Sequence, residues 1–417
     1  IVTQEVFSVG ETSQGNAFGS QTFTGDGISG VLVAYPHSFR SDLGGMVNNP
    51  DTASSYVPTT TTPVYLSRRG QHLYNGSAWV NEGILHESEA RTNLVLQSGN
   101  ADSFLKLNAS LVSSGVTVPD GSTDAYLLYP DSSGVARFIY SQTLTAGATQ
   151  TSSIYMKASG VTTGLFYSSD GGGLNAVGLA WFDLSAGTVG TVVSGYTASI
   201  EDVGNGWYRC SVSGVTLTGR YLIAGVADAD NSTTVTKNGT DGILVWGVQA
   251  ETGATPSSYI PTAGATVTRA AETLTVPAAN LPYNSTNMSI QIDGKITYAD
   301  RNLIREVQFV EWLADSNNGI EQFACSGTGF FPNGAVAFFQ EAAATTSLRV
   351  TPAATLPFGV NVPFSISSRH GSTFINGAVG GTALTADTAP TALPNLSSTN
   401  LNLGQAFMGT IGQFRMW

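Results

Sequence analysis

The chain has 417 residues, enough for two or three domains each with a sizeable core. Charged residues make up 11% of it, under half the roughly 25% of an ordinary soluble domain. Its formal net charge is -12 and no basic run occurs, which argues against a phosphate-neutralising nucleic-acid surface. No apolar run reaches the length of a membrane span, so no membrane insertion is expected. Gly numbers 48, and Ser, Thr, Asn and Ala fill most other small positions. Such a chain meets water through hydroxyls and amides. That suits β-rich surface proteins and disfavours long solvent-facing helices, which want Glu, Lys and Arg. Two cysteines, Cys210 and Cys325, are too few for a disulfide scaffold and read as buried thiols.

Residues 1–55 read as a small N-terminal β region of short strands and loops. Gly25-Asp26-Gly27-Ile28-Ser29-Gly30 matches the dinucleotide fingerprint G-x-G-x-x-G. A fingerprint needs a following helix to face the pyrophosphate, and here Val31-Leu32-Val33 and Pro36 follow instead. It is read as a tight turn. Residues 56–91 read as a connector. Within it, Leu73 to Val80 forms a hairpin around Asn75-Gly76, a pair that supplies the positive φ angles of a tight turn. Asn81 to Arg91 is the best short-helix candidate in the chain. Glu82, His86 and Glu89 would share one face there. The metalloprotease pattern H-E-x-x-H fails, however, because Ala90 stands where the second His must be.

Residues 92–255 form the clearest module. Short strand-like stretches recur between turn signals, the mark of a sandwich or barrel. Alternation points Phe182, Leu184, Tyr208, Cys210 and Val212 inward, and sends Trp181 and Trp207 outward. Two outward tryptophans form a candidate carbohydrate-binding platform, because sugar C–H faces pack on aromatic rings. The loop Asp228-Ala229-Asp230-Asn231, with Asp241 further on, clusters oxygen donors of the kind Ca2+ takes. It is no EF-hand, since Gly239 occupies the twelfth position. No cofactor is required by any motif; bound Ca2+ is the one candidate.

The stretch Ser257-Ser258-Tyr259-Ile260-Pro261-Thr262 reads as an exit strap. It nearly repeats Ser54-Ser55-Tyr56-Val57-Pro58-Thr59. Residues 256–283 are read as the strap plus a linker. Residues 284–417 alternate cleanly again, as in Met288 to Ile296 and Gly409 to Trp417, with a hairpin signal at Asn376-Gly377. The fold class is therefore all-β: tandem β-sandwich (jelly-roll) modules joined by Pro- and Thr-rich straps.

Glu89-Ala90-Arg91-Thr92-Asn93-Leu94 resembles the E-x-A-R-T-N-L opening of many tailed-phage structural proteins. Phe182 to Val189 and Val203 to Cys210 are similar to the same proteins, as is Trp246 to Thr262, which fits W-G-x-Q-x-E-x-G-x-x-P-[ST]-S-Y-I-P-T. Those proteins are tail fibres, head fibres or spikes. The resemblance implies a carbohydrate-binding-module-like jelly roll over 92–255, followed by a laminin-G/concanavalin-like sandwich over 284–417. The matching words are framework strands and turns and carry over no binding residue.

What the resemblance implies is a fibre or spike on the virion surface that adheres to host cell-surface glycan without catalysis. Copies on one particle would raise weak affinity, so a homo-oligomer is expected, a trimer first and a pentamer second. Residues 1–55 are the expected attachment to other virion proteins. Two further readings stay open. One is a structural decoration protein without a receptor. The other is a polysaccharide depolymerase, which would need two carboxyl groups brought together by the fold. No paired acidic motif is visible, G-x-S-x-G is absent, and the four histidines sit in no triad-like context.

Overall fold

The computed structural model describes residues 68–417, apart from 102–103, 142–146, 170–175, 216–220, 300, 302 and 327–330. His72–Trp417 is one compact unit; the other, Ile1–Gln71, lies almost wholly outside the described residues. The G-x-G-x-x-G turn, the first strap and the expected attachment region therefore fall outside them. Among the described residues the regular structure is strand throughout, apart from one short 3-10 turn at Ala278–Asn280.

The chain is a tandem β-sandwich. In the first sandwich one six-stranded sheet runs Thr188–Val192, Ala176–Asp183, Thr163–Ser169, Tyr221–Ala227, Ala136–Ser141 and Leu105–Leu107. The other runs Tyr196–Asp202, Trp207–Val215, Thr149–Ser159, Gly242–Thr252, Tyr126–Pro130 and Ala109–Ser113. Every paired neighbour is antiparallel, so alternate residues face the partner sheet. Phe138, Ile154, Met156, Phe166, Phe182 and Ile243 fill the space between. Each fully buried side chain of this size removes enough apolar area to contribute roughly 1.5–3 kcal/mol. Cys210 belongs to this core, and burial holds its thiol well above the usual range.

The second sandwich is built from two ends of the chain. Its seven-stranded sheet runs Arg68–Tyr74, Trp79–Glu87, Met408–Met416, Asn287–Tyr298, Gly359–Gly371, Ile375–Val379 and Thr382–Ala383. The facing sheet runs Leu274–Val276, Leu401–Gln405, Val307–Asp315, Asn318–Cys325, Ala335–Ala342 and Thr345–Val350. Ile292, Phe309, Trp312, Phe338, Ile366 and Phe407 lie in its core. Cys325 is a second buried thiol, pushed up to about 12 by burial.

This topology corrects the connector. Asn81 to Arg91 is not helical: Trp79–Glu87 is a strand paired with the closing strand, Ile84 opposite Ile411 and His86 opposite Gly409. Gly83 sits at φ +95°, outside helical geometry. A weak local helix preference loses to a strand partner near the other terminus. The first sandwich is thus inserted between the strands that open and continue the second.

The words that frame the first sandwich bind one another. Arg91 donates to the carbonyls of Thr252 and Thr255, and Asn93 donates to the carbonyl of Ile260. Every polar letter of the strap has a partner. Ser257 donates through N and Oγ to Glu251, and Ser258 does the same to Glu87. The Tyr259 hydroxyl meets Ser98, and Thr262 Oγ1 donates to the Val95 carbonyl. The segment expected as a linker carries strands too. Val267–Arg269 pairs with Arg91–Asn93, and Leu274–Val276 joins the second sandwich.

The junction between the sandwiches is ionic. Glu87 faces Arg269 at 3.3 Å; Glu89 bridges Arg91 at 2.7 Å and Arg301 at 2.6 Å. Burial raises the Glu89 carboxyl, but the two guanidiniums outweigh it and hold it below its usual value. Asn361 of the second sandwich donates to Glu201 of the first at 2.6 Å.

Candidate functional site

The alternation over Trp181 and Trp207 sends them away from the central core, which takes Phe182, Leu184, Cys210 and Val212, with Tyr208 packed against it. Their exposure is the correction. Trp181 is 4% exposed and Trp207 is 1% exposed. Trp181 is covered on the outer face of one sheet with Leu165, Tyr167 and Ile223, and its Nε1 donates to the Ser232 carbonyl. Trp207 is covered on the outer face of the other sheet with Val118, Tyr155, Leu244 and Trp246, its Nε1 donating to the Thr117 carbonyl at 3.0 Å. The two rings lie on different sheets, so they form no common platform. The physical reason is that distant loops fold back over both faces, which strand alternation does not register.

The candidate calcium ligands are not brought together either. Asp228 accepts from Thr236 N and Oγ1, Asp230 from Thr191 N and Oγ1, and Asp241 from Asn238. Asp228 and Asp241 each bond within their own loop, whereas Asp230 ties its loop to the strand Thr188–Val192. Glu82, His86 and Glu89 separate as well. Glu82 pairs with Lys295 at 2.7 Å, Glu89 with the two arginines, and His86 Nε2 lies 2.8 Å from the Gly404 carbonyl. Among the described residues no group of three or more His, Cys, Asp or Glu side chains has metal-binding geometry.

An exposed aromatic surface lies elsewhere, at the hairpin. Asn75 N donates to the Ala78 carbonyl at 3.0 Å, and Asn75 Oδ1 accepts from Ser77 and Ala78, which fixes the turn. The turn sets Tyr74 and Trp79 side by side, ring centroids 5.6 Å apart and tilted by 59°. Trp79 is 51% exposed. It lies at the start of a strand of the second sandwich, yet its ring rests on a loop of the first. A Cβ on Gly204 would come 2.7 Å from Trp79 Cζ2, so only glycine admits the ring there.

Polar groups gather around this ring pair. Asp202 is the cross-strand partner of Tyr208, and its Oδ1 accepts from Gly204 N at 2.8 Å. Burial raises the Tyr208 phenol, with further upward pushes from the Asp202 and Asp183 carboxylates, Cys210 and Tyr74. Asp183 accepts from Ser185 and Ala186, which hold its carboxyl below the usual range. Lys157 reaches the Asn205 carbonyl at 2.7 Å. The arrangement offers an apolar ring face beside carboxylates and an ammonium. Those are the elements that meet a sugar's C–H face and its hydroxyls together. The sequence read this hairpin as structure only. Its signal was present in the two aromatics flanking Asn75-Gly76.

The fold also brings two carboxylates together. Glu311 and Glu321 are cross-strand partners in the second sandwich, and Gln308 Nε2 donates to both, at 3.4 and 3.0 Å. Arg305 forks onto Glu321 through Nε and Nη2, at 2.8 and 2.6 Å. Glu311 accepts from Asn402 and Gln405. Glu321 is 2% exposed and ion-paired with Arg305.

No protein-family model matches the chain, and no curated protein matches it. Among solved structures the chain is similar to sheep galectin-11 in complex with glycerol, at 13% identity and a TM-score of 0.23, over 35% of this chain and 96% of that one. It is also similar to domains LG4-5 of the mouse laminin alpha1 chain, at 13% identity and a TM-score of 0.25, over 77% of this chain and 91% of that one. TM-scores of this size carry no argument about function.

Proposed function

We propose that this chain is a virion fibre or spike protein of a tailed phage that adheres to host cell-surface carbohydrate without cleaving it. The adhesive part rests on the Trp79–Tyr74 surface, a half-exposed indole held on Gly204 with Asp202 beside it. The virion part rests on the resemblance of Glu89 to Leu94 and Trp246 to Thr262, the words that lock the first sandwich shut. A homo-oligomer on the virion surface, trimeric by preference or pentameric, would multiply weak contacts; residues 1–55 would attach it to other virion proteins. Bound Ca2+ is no part of this reading. A structural decoration protein is the second reading, favoured by the burial of Trp181 and Trp207, which closes both outer faces where a platform was expected.

Retention of the purified chain on host-envelope polysaccharide, with reducing ends assayed in the same tube, tests the proposal. The wild-type chain is expected to be retained with no new ends, and Trp79→Ala to lose retention while folded. Retention unchanged in Trp79→Ala would remove the site. New reducing ends would make the chain a depolymerase. No retention of the wild-type oligomer would leave the structural reading.

A further inference from the structure

The inner face of the first sandwich becomes polar at one end. Along Thr149–Ser159 the inward positions run Gln150, Ser152, Ile154, Met156, so the core stops where the strand begins. Gln150 is 3% exposed, and neither its Oε1 nor its Nε2 has a hydrogen-bond partner. A buried amide left unpaired on both atoms is a cost that native structures seldom carry without a ligand or a water.

The amide lines a crevice between the two sheets. Ser152, Val212 and Gly214 flank it on its own sheet, and Phe166 and Ser168 face it from the other. Gly214 lies opposite Gln150 on one side and opposite Tyr196 on the other. A Cβ on Gly214 would come 2.2 Å from Tyr196 Cδ1, so the missing side chain lets the Tyr196 ring lie across the strand at the crevice. The Tyr196 hydroxyl is held by the Val215 carbonyl at 3.0 Å, which fixes the ring. The accessible volume is about 10 Å³, the space of one water-sized group.

We infer that this crevice is a second saccharide contact, one that takes a hydroxyl-bearing group of a neutral sugar. An amide presents an acceptor and a donor side by side, and a single hydroxyl, which both donates and accepts, bridges them. The space admits one such group and leaves the ring outside, where the fixed Tyr196 offers an apolar face. Among the described residues no charged side chain lines the crevice, so a uronic acid carboxylate would lose its water there without gaining a cation from them. The inference rests on the saccharide reading above, but on a different surface, one between the two sheets of the first sandwich.

Binding of methyl α-glucopyranoside, methyl α-mannopyranoside, methyl β-galactopyranoside and glucuronate to the full chain, followed by saturation-transfer NMR, tests it. One or more neutral glycosides are expected to bind, and glucuronate to bind more weakly. Gln150→Leu is expected to keep or raise the Tm, since it removes an unpaired amide, and to weaken the neutral glycoside about tenfold. Gln150→Asn, which draws the amide back by one methylene, covers the case in which Gln150→Leu does not fold and is expected to weaken binding likewise. Wild-type affinity in either folded variant, or equal binding of glucuronate, would overturn the inference. So would the absence of any glycoside signal from the wild-type chain, which would leave a single water as the occupant. Loss of polysaccharide retention in Trp79→Ala with wild-type glycoside binding in Gln150→Asn would keep the hairpin site and discard this one. The reverse pattern would keep this site and discard the hairpin.

Discussion

Two buried glutamine amides, Gln340 in the second sandwich and Gln150 in the first, differ in how they are paired. In the second, the Gln340 amide nitrogen donates to the carbonyls of Gly371 and Thr391, and its oxygen faces His370 Nδ1 at 3.2 Å. His370 Nε2 meets Ser368, which in turn accepts from Gln322. Of that chain only Gln322 Oε1 lacks a partner. In the first sandwich, Gln150 has none on either atom. A closed network behaves as part of the core and specifies its packing. Gln150, unpaired on both atoms, is the amide assigned above to a ligand. The tryptophans divide in the same way. Trp207 is sealed within the fold, whereas Trp79 meets solvent.

The largest effect that would break this division is in the tryptophans. Trp207→Ala removes a fully buried indole and strands the Thr117 carbonyl, so it is expected to cost about 3–5 kcal/mol in denaturant unfolding. Trp79→Ala removes a half-exposed ring and is expected to stay within about 0.5 kcal/mol of wild type. Similar losses in the two variants would mean that Trp79 is structural, and that the sealed and open tryptophans do not differ.

The amides give the next effect. Gln340→Leu strands His370 Nδ1 and the carbonyls of Gly371, Thr391 and Ala392, and is expected to cost about 1–3 kcal/mol or more. The matching change at Gln150 strands nothing. A destabilisation by Gln150→Leu as large as that of Gln340→Leu would show that the first amide is closed by contacts of its own.

The sequence made the fold class legible because period-two alternation and Asn-Gly turns are local. Alternation even gave the inward positions Phe182, Leu184, Cys210 and Val212. Exposure was not legible. The segment carrying Thr117 and Val118 covers Trp207, and the one carrying Ser232 covers Trp181, from positions roughly fifty residues away or more. The strand character of Trp79–Glu87 was hidden for the same reason, its partner lying near the other terminus. Gln150 left a trace that alternation contains, a polar pair at inward positions of a strand otherwise apolar on that face. Whether such an amide is paired depends on both sheets and is written in neither strand.

Acid titration gives the finest test of the closed network. His370 is fully buried, and burial lowers its imidazole from 6.5 to about 3. Above pH 6.5 the ring is neutral in both the folded and the unfolded chain and adds no pH dependence. Below it, the unfolded chain binds a proton that the folded chain refuses. Stability therefore falls with pH, by up to about 1.4 kcal/mol per unit, until about pH 3. Glu89, held below its usual value of 4.5, loses stability in the same direction but only from about that pH downward. Glu201, raised by burial, works the opposite way, gaining relative stability as it is protonated. Both contributions are common to wild type and His370→Gln and cancel in their difference. The two stability curves, measured by urea unfolding, should therefore converge as the pH falls from 6.5 to 4.5, the variant losing less. Parallel curves over that interval would mean that the ring takes up its proton while folded, and that the network around Ser368 and Gln340 opens to admit the charge.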